Sequence, residues 1–359
     1  MKIAVPAEIQ DNELRVGITP DGARELVAAG HAVAIEGAAG MGSGFADQEY
    51  LDAGAGIIEE HAETFAAGEL VVKVKQLSPE EHKLPMAGST LFSYMHPETR
   101  PEMVRALLEK EVTAIAFERV RLDDGSLPLL EPMSRIAGHM AVLIGAQLLQ
   151  SIHGGPGVML GEVAGPDQPQ VVVIGGGTVG SSAAATASAL GAEVTVFELS
   201  DARREALRAS LPQTSVLSPD PGPVADTIRD AWLVVNGATV PEASAVHVVT
   251  REMVREMAEG AVIVDVTADL RGAIETTIRK TTHTDPTFIE EGVVHYVVPN
   301  IPGVVPGTST LALAAATLPY LLELANKGVE QTLAENPALA GALLCANGEP
   351  VAPDIAEML

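Results

Sequence analysis

The sequence predicts an α/β fold built as two parallel-sheet domains. Its 359 residues exceed the usual size of one hydrophobic core. Two successive series of short β-branched runs alternate with helical patterns, and a stretch rich in Gly and Pro, "HGGPGVMLGEVAGPDQPQ", separates them. A strand, helix, strand rhythm implies right-handed crossovers and mostly parallel pairing. Hydrophobic residues make up 47% of the chain, enough to bury two cores.

In the first series "KIAV" reads as a strand and "PDGARELVAAG" as the helix behind it. "HAVAIE", "ELVVKVK", "STLFSY" and "VTAIAFE" are further strands, with the helix "RPEMVRALLEKE" before the last. A long helical segment covers roughly 132–152. The second series opens at Gln170 with "VVVIGG" and continues through "AEVTVFE", "TSVLS", "AWLVVNGA" and "AVIVDVTAD". Its strands are continuously apolar, as in a sheet covered on both faces. It ends near "VVHYVVPNIPGVVPGTST", where prolines and glycines return. The last segment, 311–359, has a helical pattern, is too small to stand alone and is expected to pack back on the first domain. Within it "LALAAATLPYLLELANKG" contains a proline and reaches Glu323 after about a dozen residues, short of the roughly 20 needed to cross a bilayer. A buried helix is therefore predicted there.

Lys and Arg number 22 against 48 Asp and Glu, a formal charge of −26. So acidic a surface repels phosphate backbones and anionic lipid, which argues against nucleic-acid or membrane partners. A solvent adaptation to a salty or solubility-limited habitat, with no bearing on chemistry, is the preferred reading of the same charge. The single cysteine, Cys345, has no intrachain partner, and no Cys/His cluster points to a metal site. The N-terminus "MKIAVPAEIQ" lacks a signal-peptide core, so a cytoplasmic setting is expected.

The second series begins with "VVVIGGGTVGSSAAATASALGAEVTVFELS". Gly175 permits a tight turn, Gly177 lets backbone approach a pyrophosphate, and Gly180 lets helix pack on strand. The small-residue helix behind them presents unpaired N–H groups and a positive dipole to phosphate. Glu198 ends the next strand, 18 residues after Gly180, where a carboxylate accepts ribose hydroxyls and repels the 2′-phosphate of NADP. Strand, loop, helix, strand and terminal acid together predict a dinucleotide site that favours NAD. Arg203 and Arg204 lie close enough to weaken that preference, and Glu198 taken alone also suits a solvated strand end.

In the first domain Arg15, Lys75, His96 and Glu118 sit at strand ends or on loops. An arginine fork can hold a small carboxylate, a lysine can polarise a carbonyl or imine, and a histidine can pass a proton near neutral pH. Singly, each fits a structural role as well: a surface arginine, a lysine at a strand exit, a capping histidine, a solvated acid. The stretches "NELRVGITPDGARELVAAGHAV", "GAAGMGSGFADQEY", "LVVKVKQ", "PLLEPMSRIAG", "HGGPGVMLG", "VTREMVREMAEGAVIVDV", "VVHYVVPNIPGVVP" and "TSTLALAAATLPY" closely resemble the alanine dehydrogenases. They are similar also to the related NAD-binding subunit of the proton-translocating transhydrogenase. The resemblance runs in order from the N-terminus to about Lys327.

The resemblance implies two Rossmann-like domains. Residues 1–130 and 306–359 would form a discontinuous substrate domain around an inserted NAD-binding domain, 131–305. Reversible oxidative deamination of L-alanine, or a related small amino acid, to the 2-oxo acid and ammonia is the implied reaction. Arg15 and Lys75 would hold the carboxylate and the oxo or imino group, His96 would transfer the proton, and Asp269 would help position water or the amine. Ser134, Gly175, Gly177, Thr178, Val179, Gly180, Glu198, Arg203, Asn300 and Ile301 would serve the cofactor. A homohexamer is implied too. Departures gather near the expected site: Leu270 and Arg271 replace a small polar pair, Arg135 stands where an acid is common, and Gly307 replaces an arginine. These leave open a larger amino or imino acid as substrate, and a hydride-donating transhydrogenase-type subunit is the other alternative.

Overall fold

Strands linked by helices rather than tight turns are driven into parallel pairing, and a computed structural model shows this twice over. It describes residues 1–163, 168–240, 246–268, 270 and 272–358. The chain divides into two compact units, Met1–Met133 with Gly303–Leu359, and Ser134–Pro302.

In the first unit β1 (Lys2–Val5), β2 (Ala32–Glu36), β3 (Gly56–Ile58), β4 (Leu70–Val72), β5 (Thr90–Ser93) and β6 (Thr113–Ala116) lie in the order β3-β2-β1-β4-β5-β6, all parallel. Four helices serve the crossovers: α1 (Pro20–Ala28), α2 (Asp47–Asp52), α3 (His61–Ala67) and α4 (Pro101–Glu109). Local chemistry starts α1 where the sequence demands it: the Thr19 hydroxyl accepts the N–H of Gly22 and Pro20 follows with its φ already helical. The strand order reverses at β1, whose neighbours are β2 and β4. Such a switch point opens a crevice at the carboxyl edge of the sheet, where ligands of α/β proteins collect.

Helix α5 (Glu131–Leu148) leads into the second unit, ending four residues before the expected limit, with a 3-10 turn at Ser151–His153 after it. There β7 (Gln170–Ile174), β8 (Glu193–Phe197), β9 (Ser215–Leu217), β10 (Ala231–Asn236), β11 (Val262–Asp265), β12 (Thr287–Glu290) and β13 (Val293–Tyr296) form a sheet ordered β12-β13-β11-β10-β7-β8-β9. All pairs are parallel except β12 with β13. The crossover helices are α6 (Thr178–Ala189), α7 (Asp201–Ser210), α8 (Pro221–Arg229) and α9 (Arg251–Arg255). Alternate strand residues enter opposite cores: Val171, Val173 and Val235 on one face, Val172, Val234 and Ile263 on the other. That is why these strands read as unbroken apolar runs.

The C-terminal segment returns to the first unit and corrects two expectations. It is not helical throughout: after α10 (Pro306–Lys327), α11 (Val329–Glu335) and α12 (Pro337–Ala340) come β14 (Leu343–Ala346) and β15 (Glu349–Pro350), before α13 (Pro353–Met358). β14 pairs antiparallel with β6, and β15 with β14. The hairpin turns at Asn347 and Gly348, with φ of 53° and 78°, the left-handed pair an Asn-Gly turn supplies. The second correction concerns α10. At 22 residues it is long and apolar enough to cross a bilayer, because Pro319 sits inside it without ending it. Length therefore does not identify it as a core helix; packing does, since Leu313, Thr317, Leu321 and Leu324 are buried along one face and the helix rests on α1.

Candidate active site

All four first-domain candidates lie at the carboxyl edge of the first unit's sheet. Arg15 lies on the loop after β1, Lys75 three residues beyond β4, and His96 three beyond β5. The Arg15 loop is clipped on both sides. Ser43 Oγ donates to Leu14 O (2.9 Å), the Val16 N–H donates to Thr310 Oγ1 on α10 (3.2 Å), and the two hydroxyls lie 2.7 Å apart. Gly307, at the start of α10, fits this contact: a Cβ there would lie 3.3 Å from Ser43 O.

Arg15 is not the surface residue that its sequence allowed, being 3% exposed. Its Nε donates to Glu13 Oε1 (2.6 Å), its Nη2 pairs with Glu13 Oε2, and its Nη1 lies 3.2 Å from Met133 Sδ. Burial opposes the charge, but the Glu13 carboxylate outweighs it and holds the guanidinium above its ordinary pKa. Glu13 thus grips the fork through both Nε and Nη2. Lys75 differs. Its Nζ has no hydrogen-bond partner among the described residues, and burial, with Arg15 and Arg100 adding and Glu13 and Glu8 opposing, lowers its pKa to about 8.

His96 adopts a left-handed backbone, φ 45° and ψ 57°, a strained conformation for a residue with a side chain. Glu118, just past β6, holds it there by accepting the N–H of His96 (2.6 Å) and of Met95 (3.1 Å). Glu118 is therefore a support for the histidine loop rather than a solvated acid. The imidazole stacks on Tyr94, is 39% exposed, and turns Nδ1 toward Glu98 (3.8 Å) and Glu118 (4.0 Å). Burial, then Lys75 and Arg100, push its pKa below the usual imidazole value against the pull of Glu118 and Glu98. Sequence reasoning missed Glu13, Tyr94 and Met133 here; only the spacing Glu13 to Arg15 was visible as a pair.

In the second unit the glycine loop joins β7 to α6. Gly175 has φ +88°, and a Cβ on Gly180 would lie 1.8 Å from Gly175 O, so both are fixed by the turn and by helix-on-strand packing. Gly177 has neither constraint. Its φ is −70° and a Cβ there would meet nothing within 4 Å. Its missing side chain leaves open space at the N-terminus of α6, which no side chain caps. A pyrophosphate fits that vacancy and those N–H groups. Thr178 and Val179 form the first turn of α6. Glu198 follows β8; its Oε2 accepts the Gly176 N–H (2.7 Å) and its Oε1 the Ser200 N–H (2.7 Å), which leaves lone pairs for ribose hydroxyls. The residues present therefore fit a dinucleotide.

Arg204 does not reach toward that carboxylate: its Nη1 donates to Glu198 O (2.7 Å) and Leu199 O (2.8 Å), and Nη2 pairs with Asp201. Arg203 is exposed on α7. Ser134 sits one turn before Gly138, whose ideal Cβ would fall 2.2 Å from Val179 O, so it stands beside the start of α6. Asn300 is half-buried and its carbonyl accepts from His283 Nε2 (3.0 Å). Ile301 has its side chain in the core of this unit at 1% exposure, so only its backbone could line a cofactor groove. Asp269 and Arg271 lie outside the described residues. The turn leading to position 269 is well fixed. The buried Asp265 carboxylate accepts from Asn236 Nδ2 (2.9 Å), Thr267 Oγ1 (2.8 Å), Thr277 Oγ1 (2.7 Å) and the Ala268 N–H (3.2 Å), and Ala268 has φ 51°. Leu270 is 52% exposed. Among the described residues no cluster of His, Cys, Asp or Glu could hold a metal ion.

The chain matches the family models for the alanine dehydrogenase/PNT N-terminal domain over residues 4–137 and C-terminal domain over residues 141–353. It is 46% identical to a protein of Methanococcus maripaludis named alanine dehydrogenase, over 97% of this chain and 94% of that one. The alanine dehydrogenase of Bacillus subtilis is also 46% identical, with 99% and 95% covered. Among solved structures it is similar to an L-alanine dehydrogenase at 42% identity and TM-score 0.95, covering 100% and 99% of the two chains. A transhydrogenase from Sinorhizobium meliloti follows at 25% identity and TM-score 0.83, with 99% and 100% covered. The chain belongs to the alanine dehydrogenase/PNT family.

Proposed function

We propose that this protein is an NAD-dependent L-alanine dehydrogenase, interconverting L-alanine with pyruvate and ammonia. The observation that carries the reading is the meeting of Arg15, Lys75 and His96 at one sheet edge, in a chain so similar to proteins of that name. The second unit would hold NAD through Ser134, Gly175, Gly177, Thr178, Val179, Gly180, Glu198, Arg203 and the backbone at Asn300 and Ile301. Bound NAD supplies the hydride acceptor, or its reduced form the donor. The first unit would hold the amino acid.

The protein's own groups then divide the work. Arg15 and Lys75 bind the carboxylate and the oxo or imino group and fix the reacting carbon; positioning of this kind supplies about 7 kcal/mol or more of a barrier. With Nδ1 turned toward two carboxylates, His96 exchanges its proton with the substrate through Nε2. A depressed pKa keeps it neutral near pH 7, ready to accept the proton released as water adds to the iminium carbon. Asp269 would help position that water or the departing amine. The enzyme is further proposed to be a cytoplasmic homohexamer without membrane or nucleic-acid partners, and light scattering of the purified protein would check the hexamer.

The test is a panel of amino acids offered with NAD⁺ or NADP⁺ at alkaline pH. NADH formation highest with L-alanine is expected. Turnover confined to a larger amino or imino acid would overturn the substrate and assign Leu270 and Arg271 to its recognition, and a preference for NADP⁺ would overturn the role given to Glu198.

A further inference from the structure

A buried ionic chain lies beneath the lysine at the sheet edge. Glu8, on the loop after β1, has a side chain 2% exposed. Its Oε1 accepts the backbone N–H of Val74 (2.6 Å) and of Lys75 (3.2 Å). Its Oε2 lies 3.2 Å from Nζ of the fully buried Lys73. Lys73 donates in turn to Glu81 Oε1 (2.7 Å) and Ala7 O (3.4 Å). Beyond Glu81 comes His61, whose Nε2 is 3.2 Å from Glu81 Oε1 and whose Nδ1 is 2.6 Å from Glu36 Oε2. Glu36 closes the path by accepting the Ala7 N–H (2.8 Å). The chain thus runs from His61, 24% exposed, to the backbone of Lys75.

None of these five side chains takes part in the reaction described above. Stability is a poor reason for keeping them, because a buried ion pair replaced whole by apolar groups is often neutral or better. What the chain does uniquely is grip the backbone from which Lys75 projects. We propose that Glu8, paired with Lys73, is a positioning residue for the substrate lysine: it fixes the Lys75 backbone and supplies the negative field that keeps the Lys75 ammonium charged for binding a 2-oxo acid. This rests on the reading of Lys75 as a substrate-binding group.

The charges facing Lys75 are Arg15 and Arg100, which disfavour its proton, Glu13 and Glu8, which favour it, and the His96 ring. Losing Glu8 tips that balance toward the neutral amine. Losing Lys73 has the same effect by another route. Burial pushes the Glu8 carboxyl up, opposed chiefly by the Lys73 ammonium, so losing Lys73 shifts the carboxyl further toward its protonated form. The two single changes and the double change should then give one phenotype.

The experiment measures the pH midpoint for covalent labelling of Lys75 by trinitrobenzenesulfonate, mapped by mass spectrometry, together with KM and kcat for pyruvate. Glu8→Gln and Lys73→Met are each expected to lower the Lys75 midpoint by about one pH unit, a tenfold change in its protonation constant. At pH 8 each should raise KM for pyruvate several-fold while kcat falls less. The Glu8→Gln/Lys73→Met double variant removes both buried charges, keeps the fold even where a single variant loses it, and should show no larger shift than either. An unmoved Lys75 midpoint in any folded variant, or additive effects in the double, overturns the proposal. Should the unaltered enzyme fail to oxidise NADH with pyruvate and ammonium together, the functional reading falls, while the labelling midpoints still judge the role of Glu8.

Discussion

Arg15 and Lys75 lie on loops at the same edge of the first sheet yet carry their charges differently. Glu13 secures the guanidinium, whereas the ammonium has two cations among its neighbours and a pKa lowered to about 8. A cationic ligand group with a lowered pKa binds anions below that value and releases its hold above it. Affinity of the free enzyme for pyruvate, measured by NADH-dependent binding or inhibition across pH, is therefore expected to fall as pH rises through about 8. Lys75→Met should abolish this step and cost about 1.5–3 kcal/mol of binding, the usual worth of a hydrogen bond to a charged group. His96→Gln is expected to lower kcat by about a hundredfold or more without changing the melting temperature. A pH-independent pyruvate affinity would show that Lys75 stays neutral or stays charged throughout. Type and strand-end position left each of these three residues open to a structural role, and the family resemblance supplied the chemistry proposed for them. Glu8 and Lys73 were not legible in the sequence, since what matters about them is a contact between a loop and a strand end 66 residues apart.

The glycine loop separates two reasons for having no side chain. Gly180 is glycine because Gly175 O would lie 1.8 Å from its Cβ, and Gly177 is glycine although nothing in the protein approaches it. Gly180→Ala is thus expected to destabilise the protein by about 1–3 kcal/mol, as overpacking does, and to disturb NADH binding with it. Gly177→Ala should leave urea unfolding within about 0.5 kcal/mol of the unaltered protein while weakening NADH binding tenfold or more. Equal losses of stability in both would remove the ligand-based reason for Gly177. The same loop was readable in the sequence because periodicity, glycine spacing and a terminal acid all bear on one local motif. The C-terminal hairpin was not, as "LLCANGEP" is only eight residues and its pairing partner β6 lies more than 200 residues earlier. Asn347 and Gly348 were the available signal, masked by the helical pattern around them.

At the scale of the whole molecule the charge of −26 sets the response to salt. Cations here are few, and several are already paired, as where Arg251 and Arg255 meet Glu290 and Glu291. Most carboxylates consequently repel one another across the surface, and screening relieves that repulsion. The melting temperature is expected to rise by several degrees between low salt and molar KCl. A fall would mean that the surface ion pairs outweigh the net repulsion. Composition is the source of that expectation, and the alternation of strands and helices foretold both sheets, but neither could say which amino acid is oxidised. The measurement that addresses this most directly is incubation of the purified protein with L-[2-²H]alanine and NAD⁺. The account predicts pyruvate and ammonia in equal amounts with reduced cofactor carrying one deuterium at the nicotinamide. Unlabelled NADH, or no alanine-dependent reduction at all, would contradict it.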